Sequence, residues 1–219
     1  MPARGKFITI EGLDGCGKST QLEKLAVVLR AEGLDVVVTR EPGGTPTAEK
    51  IRAILLDSRT CGLSPWAELA LMFAARAQHV DELIRPALAA GKFILCDRFT
   101  DSSEAYQGNG RKLGSEAVLT LHKVLCGDLQ PDMTILMDSE VAASVARARR
   151  RNQGRAEDEN RFEQESRAFF ERVQRGYHAI ARREPQRVFT VDARRPLEVV
   201  HQEIVAAVRQ RLLHKAKAG

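Results

Sequence analysis

The run Gly12-Leu13-Asp14-Gly15-Cys16-Gly17-Lys18-Ser19 fits G-x-x-x-x-G-K-[ST] without a gap, and it constrains this chain more than any other feature. Its glycines permit a tight turn whose backbone N–H groups converge on phosphate oxygens. In such a loop the lysine reaches the outer phosphates and the serine hydroxyl can hold Mg²⁺. The flanks supply the required setting. Residues 6–11 read as a buried strand, and residues 20–31 set Leu22, Leu25, Ala26 and Leu29 on one helical face. A strand, a glycine turn and a helix place the positive end of a helix dipole behind the phosphates. Gly12 through Ser19, with Thr20, are therefore the expected segment for a nucleoside triphosphate.

The rest of the chain alternates in the same way. Short apolar runs at 7–11, 35–39, 93–97, 133–138 and 188–191 read as buried parallel strands. Helical patterns at 48–56, 66–90, 113–125, 141–151, 162–182 and 197–213 separate them, with Pro86 expected to kink the long one. The expected fold is α/β: a doubly wound five-stranded parallel sheet flanked by helices, with P-loop NTPase architecture. With 219 residues, a single domain over 1–219 suffices, carrying a short charged lid at about 147–161.

A formal net charge of +5 suits a binder of anions and does not choose between small phosphates and nucleic acid. Cys16, Cys61, Cys96 and Cys126 are scattered without a C-x-x-C pair, which argues against a zinc site or a disulfide framework and fits the cytoplasm. The opening residues hold no secretory apolar run, and no run is long enough to span a bilayer, so no membrane association is expected.

A P-loop alone serves switches, motors and kinases, so further residues must decide. Asp97 and Arg98 close an apolar strand, where α/β sheets bind ligands; the carboxylate suits a Mg²⁺-bound water and the guanidinium a phosphate. Arg40 ends the second strand before the Pro42-Gly43-Gly44 turn. Phe73 and Arg76 share a helical face, either as core or as a platform for a base. Ser102, Ser103, Tyr106 and Gln107 follow Arg98 in an expected loop, where an amide can read a base edge or simply face water. Arg147, Arg149, Arg150, Arg151 and Arg155 cluster near the end of one helix, as a solvated face or as a lid that closes cations over a transferring phosphoryl.

GLDGCGKST, TREPGGT, LMFAARAQH, CDRFTDSSEAYQGNGR, the Arg-rich stretch running to NRFEQE, and VDA occur in family order between residues 12 and 193. Together they resemble the thymidylate kinases of bacteria. That resemblance implies Mg²⁺- and ATP-dependent phosphorylation of dTMP to dTDP, in support of dTTP synthesis by de novo and salvage routes, by a homodimer packed through helices. It implies catalytic roles for Lys18, Asp14, Arg98 and the lid arginines Arg149, Arg151 and Arg155. It assigns Mg²⁺ to Ser19 and Asp97. Arg40, Phe73, Arg76, Arg98, Ser102, Ser103, Tyr106 and Gln107 then hold dTMP, with Phe73 stacked on thymine, Arg76 donating to a base carbonyl and Gln107 at the base edge. Leu13-Asp14-Gly15-Cys16 contains no arginine, which resembles the style in which the lid supplies the stabilising cations; the lid's usual Asp-Arg-x-Glu stands here as Asn160-Arg161-Phe162-Glu163. A kinase of another nucleotide or of a nucleoside is the nearest alternative. A regulatory or nucleic-acid-dependent NTPase is disfavoured, because the chain has no N-K-x-D and no strand ending in consecutive acids; nucleic acid is not an expected partner.

Overall fold

The structure, a computed structural model, describes residues 4–60, 62–152 and 161–213, and the side chains of 151 and 152 are outside that description. In chain order the elements are β1 (Phe7–Glu11), α1 (Lys18–Ala31), β2 (Val36–Arg40), α2 (Pro46–Leu56), α3 (Pro65–His79), α4 (Arg85–Ala89), β3 (Phe93–Asp97), α5 (Thr100–Ser103), α6 (Ser115–Cys126), β4 (Met133–Asp138), α7 (Val141–Asn152), α8 (Arg167–Arg183), β5 (Val188–Asp192) and α9 (Leu197–Val208). The strands form one parallel sheet in the order β2-β3-β1-β4-β5. The expected doubly wound architecture is present.

Apolar residues dictate this layering. β1 is buried at all five positions, and Ile8 sits between Leu95 of β3 and Met133 of β4. Leu22, Leu25 and Leu29 of α1 pack with Val200 and Ile204 of α9 in one core cluster. Another cluster joins Leu69 and Phe73 of α3 with Val118 of α6 on Phe7, Ile94 and Phe99. Burying a large side chain of this kind stabilises the fold by about 1.5–3 kcal/mol. Because β1 lies in the middle, chain crossovers run to both sides of it, and a crevice opens where the strands end in Glu11, Arg40 and Asp97.

One expectation is refined and one corrected. The helix expected over 66–90 is helical throughout from Pro65 to Ala89, but widens into a π-helical turn at Val80–Ile84 between α3 and α4. Pro86, which cannot donate to the preceding turn, stands just after that π-helical turn. The loop expected after Arg98 is helical: α5 runs into a π-helical segment, Glu104–Gly110. A glycine on each side lets this segment pack closely on α8. A Cβ on Gly110 would lie 2.7 Å from the Phe169 ring, and one on Gly176 would lie 2.9 Å from the Asn109 amide.

Candidate active site

The phosphate loop joins β1 to α1 and needs its glycines. Gly12 has φ 135°, and a Cβ there would meet the Met137 carbonyl at 2.6 Å. Lys18 opens α1 and folds back over the loop, its Nζ donating to the carbonyls of Gly12 (3.0 Å) and Leu13 (2.9 Å) and lying 3.6 Å from Asp14 Oδ1. The Ser19 hydroxyl donates to Asp97 Oδ2 at 3.1 Å, while Asp97 Oδ1 is buried with no hydrogen-bond partner. One unsatisfied carboxylate oxygen beside a hydroxyl suits Mg²⁺, a hard cation that takes most of its ligands from water and phosphate. Asp14, Gly15, Gly17, Lys18, Ser19 and Thr20 line a cavity of about 490 Å³. Gly12, Leu13 and Cys16 stand behind it; Cys16 joins the core, and burial pushes its thiol up.

Arg98 sits across the cavity, one residue past β3, with φ 73° and its N–H on the Ile10 carbonyl (3.0 Å). This left-handed backbone is uncommon for a residue with a side chain. Its guanidinium donates to Asp14 (2.7 Å), Ser102 (3.0 Å), Tyr177 (3.1 Å) and Tyr106 (3.3 Å), and lies 5.0 Å from the Tyr106 ring centre. Burial opposes its charge, but Asp14, Tyr106, Tyr177 and Asp97 together outweigh this and hold its pKa well above the usual value. Beneath it, Glu11 accepts from the Phe99 N–H (2.7 Å), the Tyr177 hydroxyl (3.1 Å) and the Ser102 hydroxyl. Burial, reinforced by nearby Asp101, pushes the Glu11 carboxyl up to about 7.

The third wall comes from α3 and the π-helical segment. Arg76 is buried, donating to Glu41 (2.7 Å), the Phe99 carbonyl (3.1 Å) and Ser103 (3.0 Å), and its Nη1 is buried without a partner. Glu41 also meets His79 Nδ1 at 2.9 Å, and His79 Nε2 meets Thr39 at 2.8 Å. Burial raises the Glu41 pKa, but Arg76 and His79 outweigh it and the carboxyl stays low. Arg40, Ser102, Ser103, Tyr106 and Gln107 all line the same cavity with Arg76, Asp97 and Arg98. Phe73 does not. It is fully buried beside Phe99, with the Arg76 guanidinium 4.7 Å from its ring centre, and its neighbour Met72 lines the cavity instead. The helical repeat explains the change: a face through Arg76 passes closer to residue 72 than to 73 as α3 docks on the sheet.

Among the arginines of the expected lid, Arg147 reaches the phosphate loop, donating to the Gly15 carbonyl at 2.7 Å. Arg149 instead donates to the carbonyls of Glu163 (2.9 Å) and Glu165 (3.3 Å). Arg155 and the Arg151 side chain lie outside the described residues. Sequence reasoning overlooked Glu11, Glu41, Glu68, Arg111 and Tyr177, which hold the lining residues in place. A signal existed for Glu11 and Glu41, each a charged residue at or just past the end of an apolar strand.

Comparison with known proteins agrees with this geometry. The family model for thymidylate kinase matches residues 10–204. The thymidylate kinase of Alkalilimnicola ehrlichii is 51% identical over 197 residues, covering 90% of this chain and 89% of its own. That of Desulfovibrio desulfuricans is 48% identical over 213 residues, covering 96% and 98%. The crystal structure of thymidylate kinase from Ehrlichia chaffeensis superposes with a TM-score of 0.75 at 32% identity, covering 94% of this chain and 99% of that one. A phosphate loop facing an arginine clamp across one cleft, and similarity that runs nearly end to end, place this chain in the thymidylate kinase family.

Proposed function

We propose that the cleft brings the phosphates of ATP and dTMP end to end, the phosphate loop holding the first and Arg98 the second. The family's reaction, phosphorylation of dTMP to dTDP with ATP as donor, gives the chemistry. The single observation that carries the assignment of roles is Asp14: one carboxylate within 3.6 Å of Lys18 and 2.7 Å of Arg98 ties the two phosphate-binding cations to one spot.

The attacking oxygen of dTMP is already anionic, so no strong base is required; the barrier is lowered by alignment and by cations around the transferring group. Lys18 and Arg98 supply charge from opposite sides. Ser19 and Asp97 would hold Mg²⁺, which neutralises charge on the donor phosphates when bound. Arg147, with Arg149, Arg151 and Arg155 further along, makes the lid's contribution; Arg147, already on the loop, is the first to reach the phosphates. At the base, the unpartnered Arg76 Nη1 donates to a ring carbonyl and Gln107 meets the ring edge, while Met72 takes the wall position expected of Phe73. Tyr106 stands against the sugar with Asp14, and Arg40 lies near the monophosphate.

The protein is read as a homodimer. Trp66 on α3 is 58% exposed and Val124 on α6 is 73% exposed, which leaves apolar surface for a second copy on two helices that touch. Cys16, Cys96 and Cys126 are free thiols, which supports a cytoplasmic location. Among the described residues, no helix is long and apolar enough to cross a membrane.

A coupled assay with ATP and Mg²⁺ across dTMP, dUMP, dCMP, dGMP and thymidine tests the reading. dTMP is expected to give the highest kcat/KM. A preference for thymidine or for a purine nucleotide would overturn it.

A further inference from the structure

Glu68 is fully buried on α3, yet nothing in the reaction calls for a carboxylate there. Three side chains converge on it. Gln107 Nε2 donates to Oε1 at 2.9 Å, Arg111 donates to both oxygens at 3.0–3.3 Å, and Arg161 Nη1 donates to Oε2 at 2.7 Å. Arg161 is also tied to the end of α2, through its N–H on the Leu56 carbonyl (3.1 Å) and its Nε on the Leu55 carbonyl. Arg111 reaches Glu165 as well. Arg161 and Glu165 flank the short turn Phe162–Gln164 at the foot of the lid, from which Phe162 and Glu163 line the cavity.

An amide has a donor end and an acceptor end, and either can face a ligand. An ionised carboxylate only accepts. Burial favours a neutral Glu68, but the hydrogen bonds from Arg111 and Gln107 and the charge of both arginines keep it ionised. Gln107 must therefore turn its nitrogen toward Glu68, which leaves its oxygen for the cavity. An acceptor there complements a ring N–H, as in a 4-oxo pyrimidine. It repels a ring nitrogen that carries only a lone pair, as in a 4-amino pyrimidine.

We propose that Glu68 is a positioning residue for base selection: it locks Gln107 with its acceptor outward, and Arg111 and Arg161 join that lock to the foot of the lid. This rests on the reading of Gln107 as a base-edge contact. The test compares wild type with Glu68→Gln, whose side-chain amide can turn Gln107 around, in kcat/KM for dTMP, dUMP and dCMP. The dTMP to dCMP ratio is expected to fall by about ten-fold or more, mainly through KM, because a polar group is left mismatched. The dTMP to dUMP ratio should stay constant, since those bases share one edge. A variant that loses the same factor on all three nucleotides has a merely structural defect and overturns the proposal. Glu68→Asp keeps a charge for the arginines but withdraws it from Gln107, and should shift the dCMP ratio in the same direction by less. In wild type, glutamine-selective ¹⁵N NMR, assigned with Gln107→Asn, should show the Gln107 amide protons protected from exchange before nucleotide is added. Rapid exchange overturns the lock without any variant. Wild type with no preference for dTMP over dCMP would instead defeat the reading of Gln107 itself.

Discussion

The two ends of the cleft hold charge in opposite ways. At the proposed phosphate end, Lys18 and Asp14 stand 3.6 Å apart, Ser19 meets Asp97 at 3.1 Å, and one Asp97 oxygen has no partner. At the base end, Glu41 and Glu68 are each saturated by two cationic or ring groups and closed off from water. The first arrangement lets charged groups change partners as phosphates arrive and leave. The second fixes donors and acceptors before any ligand enters, which is what discrimination between similar bases requires. Reaction and selection thus ask for different electrostatics within a single cavity.

The largest effect should come from breaking the saturated end. Glu41→Ala leaves Arg76 buried without its carboxylate, and is expected to cost about 3–5 kcal/mol of stability by chemical denaturation. A loss below about 1 kcal/mol would show that the base end is no more tightly held than the surface. Next is the proposed phosphate end. Arg98→Ala should reduce turnover by about 10²–10³ while binding of a fluorescent ATP analogue persists; near-normal turnover would remove Arg98 from the reaction. The smallest effect lies between the two ends, at Glu11. Its carboxyl sits at about 7 in the folded chain against an ordinary 4.5, so the folded state binds the proton more tightly. Stability from this group is then fully present below pH 4.5 and falls as pH rises through 7. Relative to Glu11→Gln, wild type should lose about 1–3 kcal/mol between pH 5 and pH 8. A difference between the two proteins that stays flat with pH would contradict the shift.

How much was legible in the chain follows the same division. The phosphate loop is eight consecutive residues, and the central strands are continuous apolar runs, so local pattern was enough for both. Arg98 could be found because it follows such a run. The base end is built by pairs far apart in sequence, Arg76 with Glu41 across 35 positions and Arg161 with Glu68 across 93, and the support under Arg98 joins Tyr177 to Glu11 across 166. No local pattern marks those partners. The exchange of Met72 for Phe73 turns on how α3 rotates against the sheet, which tertiary packing decides. Glycines at 108 and 110 suggest a turn by composition, but contact with α6 at Gly108 and with α8 at Gly110 goes with a helical course.

Asp14 has one more consequence. It lies between Lys18 and Arg98, as an internal surrogate anion for the phosphate oxygens of the proposed reaction. On those proposed roles an incoming nucleotide displaces a carboxylate from cations that are already largely buried. Substrate entry becomes a swap of one negative partner for another, and much of the cost of drying the reaction centre has been met by folding.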